Sequence, residues 1–162
     1  MHLRDATDTD LPALLEIHND AIATTTAIWD DDLVDLDDRR SWLDARRASG
    51  MPVIVAEVGD QVAGYASYGP WRPKSGYRFT VENSVYVHPD HRGNGIADAL
   101  LPALIARARD NDVHAIVAGI EATNTASIAL HEKHGFVRVA LLSEVGFKFD
   151  RWLDLAYLQL SL

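Results

Sequence analysis

The 162-residue chain has no cysteine, and that excludes several kinds of chemistry at once. Disulfides, thiolate metal sites and a cysteine nucleophile are all ruled out. Basic residues are also scarce. Against 24 Asp and Glu stand 15 Lys and Arg, a formal net charge of -9. So acidic a surface opposes broad binding to nucleic acid and to anionic membranes. One local basic site for an anionic ligand stays open. No apolar run approaches a membrane span, and the opening MHLRDATDTDL lacks the apolar core of a signal peptide. A soluble, cytoplasmic protein with no nucleic-acid or membrane partner is the expectation. No repeat, low-complexity tract or linker divides the chain, and apolar residues make up 48% of it. A single domain over residues 1–162 with a real core follows.

What is present falls into alternating helical and strand patterns. In DATDTDLPALLEIHNDAIA, residues Leu11, Leu14, Leu15, His18 and Ile22 fall at helical spacing. Thr7 or Asp10 can cap that helix, and Pro12 in its first turn favours the later start. LVDLDDRRSWLDARRASG reads as a second helix stopped by Gly50. PVIVAEVGDQVAGYASYG reads as two strands joined around Gly59-Asp60, and YRFTVENSVYV as a long third strand. A glycine turn then leads into a helix from about Gly95 to Asn111. HAIVAGIE is a buried-type strand, and NTASIALHEKHGF a short helix ending at Gly135. VRVALLSEVGFKF and RWLDLAYLQLSL close the chain as strands. The order βααβββαβαββ predicts an α+β (mixed α/β) fold. Its sheet is mostly antiparallel, with one parallel βαβ crossover and about four flanking helices.

The glycine turn, HRGNGIADAL, admits several readings. A P-loop needs G-x-x-x-x-G-K-[ST], which is absent. A dinucleotide fingerprint needs a third glycine, but Asp98 stands there, and polar residues separate the strand from the turn. Arg92-x-x-Gly95-x-Ala97 instead suits a pyrophosphate. Successive backbone N–H groups and the helix dipole would bind it, small residues would keep clear, and Arg92 would add charge-assisted bonds. An ordinary strand-to-helix turn with glycines at positive φ fits equally well.

Taken with SVYVHPDH before it and NTASIALHEKHGF about thirty residues on, the motif resembles the GNAT-type N-acetyltransferase superfamily. TTTAIWD, RRSWLDARRASGMPVIVAE, GYASYGPWRPKSGYRFTVENSVYVHPDHRGNG and EVGFKFDRWLDLAYLQL extend the likeness over nearly the whole chain. The stretch from Trp71 to Val87 and the KF-x-RWLD ending are similar to the phosphinothricin and methionine sulfoximine N-acetyltransferases. The resemblance implies the GNAT fold, a homodimer, no metal and acetyl-CoA as donor. The backbone of Val85, Tyr86 and Val87 would pair with the pantetheine arm. Arg92, Gly93, Asn94, Gly95, Ile96, Ala97 and Asp98 would cradle the pyrophosphate, and Asn124 and Ser127 would hold the far side of the arm. Departures from the pattern are Ala97 for a commoner glycine, Asn83 for a usual histidine and Asp150 for a usual glycine.

The expected reaction moves an acetyl group to the α-amine of a small amino acid or analogue by direct attack in a ternary complex. An amine attacks a thioester only when unprotonated, and an α-amino group titrates near about 8 at a chain terminus. A base therefore helps. Thr80, Glu82 and Ser84 share one strand face. If the other face packs on the core, Glu82 faces the acceptor cleft as that base; otherwise it is an exposed strand glutamate. The resemblance places His131 as the acid for the departing thiolate, against the alternative of a packed helix-end histidine. His134 carries no assigned role, and His88, His91 and His114 lack metal-ligand spacing. Backbone N–H groups near Val85 to Val87 are the candidate oxyanion donors. Arg72 and Arg78 are candidates for the acceptor's carboxylate, with Trp29, Trp71 and Tyr77 shaping its pocket. Trp42 and Trp152 read as core. Two other outcomes stay open: a different amine acceptor in the same fold, or a coenzyme-binding module without catalysis.

Overall fold

Strand-forming runs broken by polar turns build a seven-stranded sheet, and the computed structural model describes all of residues 1–162. In chain order the elements are β1 (His2–Asp5), α1 (Leu11–Thr24), α2 (Leu36–Ala48), β2 (Val53–Val58), β3 (Gln61–Pro70), β4 (Thr80–Val87), α3 (Ile96–Asp110), β5 (Ala115–Glu121), α4 (Thr125–Lys133), β6 (Val137–Lys148) and β7 (Arg151–Ser161). This is the expected mixed α/β order with four helices. The strands lie in the order β1-β2-β3-β4-β5-β7-β6. Only β4 and β5 run parallel, with α3 as their crossover. β7 inserts between β5 and β6, so β6 is an edge strand.

Local chemistry sets the helix ends. Pro12 stands in the first turn of α1, behind a 3-10 turn at Asp8–Asp10. The Asp35 carboxylate accepts from the Asp38 N–H at 2.9 Å and caps α2. Gly50, at φ +67°, turns the chain out of that helix. Between β6 and β7 the turn residues Phe149 and Asp150 both adopt positive φ, as a two-residue hairpin of this twist requires.

Helices cover both faces of the sheet. On one, Leu100, Leu101 and Leu104 of α3 pack on Ile54, Ala66, Val81 and Ile116. On the other, Leu11, Leu14 and Ile17 of α1 and Leu43 of α2 pack on Val53, Val55 and Tyr65. Strand alternation therefore divides β4. Val81, Val85 and Val87 turn to the α3 side, while Tyr86 packs on the α1/α2 side with Glu82 and Ser84 in phase with it.

Two sequence expectations need correction. Tyr77, Arg78 and Phe79 lie before the strand; Ser75–Tyr77 form a 3-10 turn and β4 starts at Thr80. Trp152 is not core but 60% exposed, because it pairs with Phe147 of edge strand β6 on a face that no helix covers. Trp42 is partly buried against the α1/α2 core, with Tyr65 edge-on at 5.9 Å.

Lys148, 3% exposed, joins the β6 end to the α1–α2 connection. Its ammonium donates to the carbonyls of Ile22 (2.5 Å), Thr25 (2.9 Å) and Ile28 (2.5 Å). A helix end leaves carbonyls without intrahelical partners, and a buried cation satisfies them. Lys148→Met strands them, so the fold should lose on the order of 3 kcal/mol in urea unfolding; a loss below about 1 kcal/mol would show that water replaces the ammonium.

Near the middle of α1, His18 faces the Tyr65 hydroxyl at 3.3 Å and Arg39 Nη1 at 3.4 Å. Burial, reinforced by the Arg39 charge, lowers its pKa from 6.5 to about 4. The unfolded chain thus binds the proton more readily. The stability His18 contributes is whole above pH 6.5 and drains away as pH falls from there toward about 4. His18→Asn should flatten the fall in melting temperature between about pH 7 and pH 5, and an unchanged slope would assign that fall to other groups.

Candidate active site

The parallel pairing of β4 with β5 is short. It joins Thr80 to Ala115, Val81 to Ile116 and Glu82 to Val117, and goes no further. β4 keeps its pairing with β3 along its other edge as far as Val87. Past Glu82 the strands part around a cavity of about 200 Å³. Residues 82–86 of β4 and 118–121 of β5 form two walls. Asn124, Ser127 and His131 form a third, and Thr26, Ala27 and Trp29 close it from the α1–α2 connection. A second cavity, of about 230 Å³, shares Ala27, Val85, Tyr86 and Asn124 with the first and reaches Arg92. Together they connect Glu82 with the glycine turn.

At that turn Gly93 and Gly95 both sit at φ +76°, and no atom lies within 4 Å of where a Cβ would project. Gly95 is the residue before α3, so the first helical amides have no carbonyl to meet. The N–H groups of Gly93, Asn94, Gly95, Ile96, Ala97 and Asp98 donate to no group of the protein. Unpaired amides at an open helix N-terminus form an anion cradle. Arg92 lies beside it, with Nη2 on Asp20 at 2.5 Å and Nε donating to the Val87 carbonyl at 3.3 Å. The Asp98 side chain plays another part. Its carboxylate takes Lys133 at 2.7 Å and His134 at 2.8 Å, which ties α3 to α4 and holds its pKa below the usual range. His134, left without a role by its sequence context, thus has a structural partner.

Glu82 and His131 come to one cavity from different directions. Glu82 is half-buried, with Oε1 3.0 Å from the place a Cβ would occupy at Gly119. Burial raises its pKa, and the charge of Arg72 opposes the rise. His131 is 4% exposed. Its Nδ1 stands 2.8 Å from the Ser127 carbonyl, which only accepts, so Nδ1 carries the proton. Nε2 then accepts from the Asn83 amide at 2.9 Å. Burial lowers the pKa of His131, consistent with a neutral ring. Asn83 Oδ1 is buried and has no partner.

Of the expected acceptor residues, only Trp29 lines this cavity. Its indole donates to the Thr26 carbonyl at 2.9 Å, and its ring lies over Gly146, where a Cβ would overlap it. Trp71, Arg72, Tyr77 and Arg78 occupy the loop between β3 and β4, outside the lining. Trp71 and Tyr77 pack edge to face at 5.2 Å, and Arg72 stacks on Trp71. Sequence reasoning missed Asn83 as the partner of His131. It also missed Glu121, whose buried carboxylate lines the cavity and accepts from Thr123 at 2.5 Å. A carboxylate ending the buried run HAIVAGIE was the available signal.

Comparison with known proteins agrees with this geometry. Residues 14–136 match the acetyltransferase (GNAT) family. The L-methionine sulfoximine/L-methionine sulfone acetyltransferase of Pseudomonas aeruginosa is 52% identical over 161 residues, covering 99% of this chain and 94% of that protein. The crystal structure of a protein named ribosomal-protein-alanine N-acetyltransferase, from Brucella melitensis, superposes with a TM-score of 0.99 at 54% identity, over 100% of both chains. The structure of yncA from Salmonella typhimurium with its cofactor acetyl-CoA gives 0.98 at 50% identity, over 99% of this chain and 93% of that one. With its parted strands, open glycine turn and matching sequence, the chain belongs to the acetyltransferase (GNAT) family.

Proposed function

We propose that this chain transfers the acetyl group of acetyl-CoA to the α-amine of a small amino acid or analogue, with methionine sulfoximine, methionine sulfone and phosphinothricin as the acceptor class. The unpartnered amides from Gly93 to Asp98 carry the donor half of this reading: they and Arg92 suit a pyrophosphate. The pantetheine arm would follow the channel past Val85, Tyr86 and Val87, with Asn124 and Ser127 on its far side. The name of the Pseudomonas relative supports the acceptor, and the cofactor of the Salmonella structure supports the donor. The name of the Brucella protein supports a second reading, a protein α-amine as acceptor.

Glu82 is the general base, directly or through water. A carboxylate with a raised pKa is better matched to an ammonium, which improves proton transfer. The free amine attacks the thioester carbon, and backbone N–H groups near Val85 to Val87 stabilise the oxyanion. The C–S bond then breaks, and the thiolate gains a proton while the amine nitrogen loses one. His131 returns that proton. To do so its ring takes that proton on Nε2 and hands it to the sulfur, so the Asn83 amide, which donates to Nε2 at rest, must swing aside. Trp29 bounds the acceptor, and Trp71, Arg72, Tyr77 and Arg78 line the approach from the β3–β4 loop.

We also place the protein in the cytoplasm as a homodimer. No helix is long and apolar enough to cross a membrane. Leu141, Phe147 and Trp152 share an exposed apolar face of the β6–β7 hairpin, and Val137 and Val139 expose further apolar surface on edge strand β6, a sheet edge that invites a second copy. Light scattering should return the mass of two chains, and Phe147→Asp should return one; a single-chain mass for the unaltered protein removes the dimer.

Release of free CoA, read with a thiol reagent, tests the activity without background, because the protein has no cysteine. Methionine sulfoximine, methionine sulfone and phosphinothricin should each drive release. Release with a short peptide alone would move the acceptor to a protein terminus, and release with none would end the catalytic reading. Glu82→Gln should cut kcat by about 10²-fold at neutral pH with acetyl-CoA binding unchanged. Full turnover in that variant would remove Glu82 from the mechanism.

A further inference from the structure

A third cavity, of about 300 Å³, lies between α2 and the sheet. Ser84 and Tyr86 line both this cavity and the one that holds Glu82, so the two adjoin along β4. Two arginines face it from α2. Arg39 and Arg46 are seven residues apart and therefore on one side of the helix, with Trp42 between them. Their guanidinium carbons lie 5.1 and 5.7 Å from the Trp42 ring centre.

The two differ in what they bind. Arg39 is engaged, with Nε and Nη2 on Asp38 at 2.9 and 2.6 Å and Nη1 on His18 at 3.4 Å. The side chain of Arg46 makes no hydrogen bond and no ion pair within the protein, and its Nε is buried without a partner. Its own burial and the neighbouring Arg39 charge both disfavour its cationic form. A half-buried cation without a counter-ion is costly, so the cavity lacks an anion.

The position of Arg46 is fixed by Gly69. A Cβ on Gly69 would stand 2.5 Å from Nη2 and 2.8 Å from Cζ, so the guanidinium rests on bare backbone. Gly69 is the cross-strand partner of Glu82. Opposed residues share a sheet face, and adjacent strands lie about 4.8 Å apart. Arg46 therefore sits one strand from Glu82, on the same face, while the Glu82 carboxyl extends the other way to Gly119 on β5. An α-amino acid carries its amine and its carboxylate on one carbon. Bound with its carboxylate toward Arg46, it would hold its amine above β4, on the face that Glu82 shares. Arg72 and Arg78 are exposed and stack on Trp71 and Phe79 of their own loop, from which the Arg72 charge acts on Glu82; Arg46 is the half-buried guanidinium without a partner.

We propose that Arg46 binds the carboxylate of the acceptor, in the cavity beside Trp42, and so restricts the enzyme to amines that carry an α-carboxylate. This rests on the amino-acid acceptor reading above. The test compares methionine sulfone with the amine it leaves on decarboxylation, 3-(methylsulfonyl)propylamine, at saturating acetyl-CoA. Arg46→Met keeps the apolar stem over Trp42 and Gly69 and removes the charge. It should lower kcat/KM for methionine sulfone by about 10²-fold, chiefly through KM, and leave that for the amine within about twofold. Arg46→Lys should recover part of the loss. Gly69→Ala, which displaces the guanidinium without altering charge, should raise KM for methionine sulfone and not for the amine. Equal losses on both acceptors, or none on either, would overturn the proposal while leaving the amino-acid reading intact. No turnover of methionine sulfone by the unaltered enzyme would overturn both.

Discussion

The separation of β4 from β5 is the constraint on which the site depends. A parallel pair closes its backbone groups against each other, and here only the stretch ending at Glu82 and Val117 does so. Beyond it β4 is held by β3 alone. The edge of β4 that faces β5 is then left for an extended ligand to pair with, as an added strand would. The same separation admits His131 and Asn83 from the α3/α4 side and Glu82 from the α1/α2 side to one cavity. Neither face alone brings these groups together. The gap also lies just before the glycine turn in the chain. Strand, turn and helix N-terminus are thus contiguous, as a single elongated ligand with an anionic end would require.

The second support is the set of links that hold the α1–α2 connection over the cavity. This connection supplies Thr26, Ala27 and Trp29 but has no regular structure of its own. Its position comes from elsewhere. Lys148 gathers three of its carbonyls, counting the end of α1, and Gly146 leaves room for the Trp29 ring. Asn19 fixes the far end, accepting from the Val34 N–H at 3.0 Å and donating to its carbonyl at 2.9 Å. The β6–β7 hairpin therefore supports the wall of the cavity that holds Glu82.

Local pattern made much of this legible in the sequence. Alternation in TVENSVYV places Glu82 and Ser84 on one face, and the glycines of HRGNGIADAL mark a strand-to-helix turn; both hold in the structure, with Gly93 and Gly95 at positive φ. Relations between distant residues were not legible. Asn83 and His131 are 48 positions apart, and nothing in either neighbourhood announces a hydrogen bond between them. Trp152 reads as core because its strand is apolar, but the insertion of β7 inside β6 leaves the hairpin's outer face uncovered. Arg46 reads as an ordinary cation in the last turn of a helix, where it complements the dipole. Only the sheet topology reveals that it lies over the partner of Glu82.

The charge balance gives these cations their meaning. In a protein of net charge -9, a basic group has many carboxylates to pair with. Most do pair: Arg4 with Asp10 and Glu57, Arg47 with Asp8, Arg107 with Asp5, Lys133 with Asp98. Arg92 is held by Asp20 at the mouth of the anion turn, so an incoming pyrophosphate must compete with a carboxylate there. That competition is offset by the free amides beside it, which have no other partner. Arg46 has no such internal competitor. A guanidinium kept apart from carboxylates, partly dehydrated and held on glycine backbone needs little rearrangement to receive a small anion, and its charge is felt more strongly than that of an exposed arginine. The general acidity of the surface would then work with it: it disfavours anions elsewhere on the protein and favours the free amides before α3 and the unpaired Arg46 as places for negative charge.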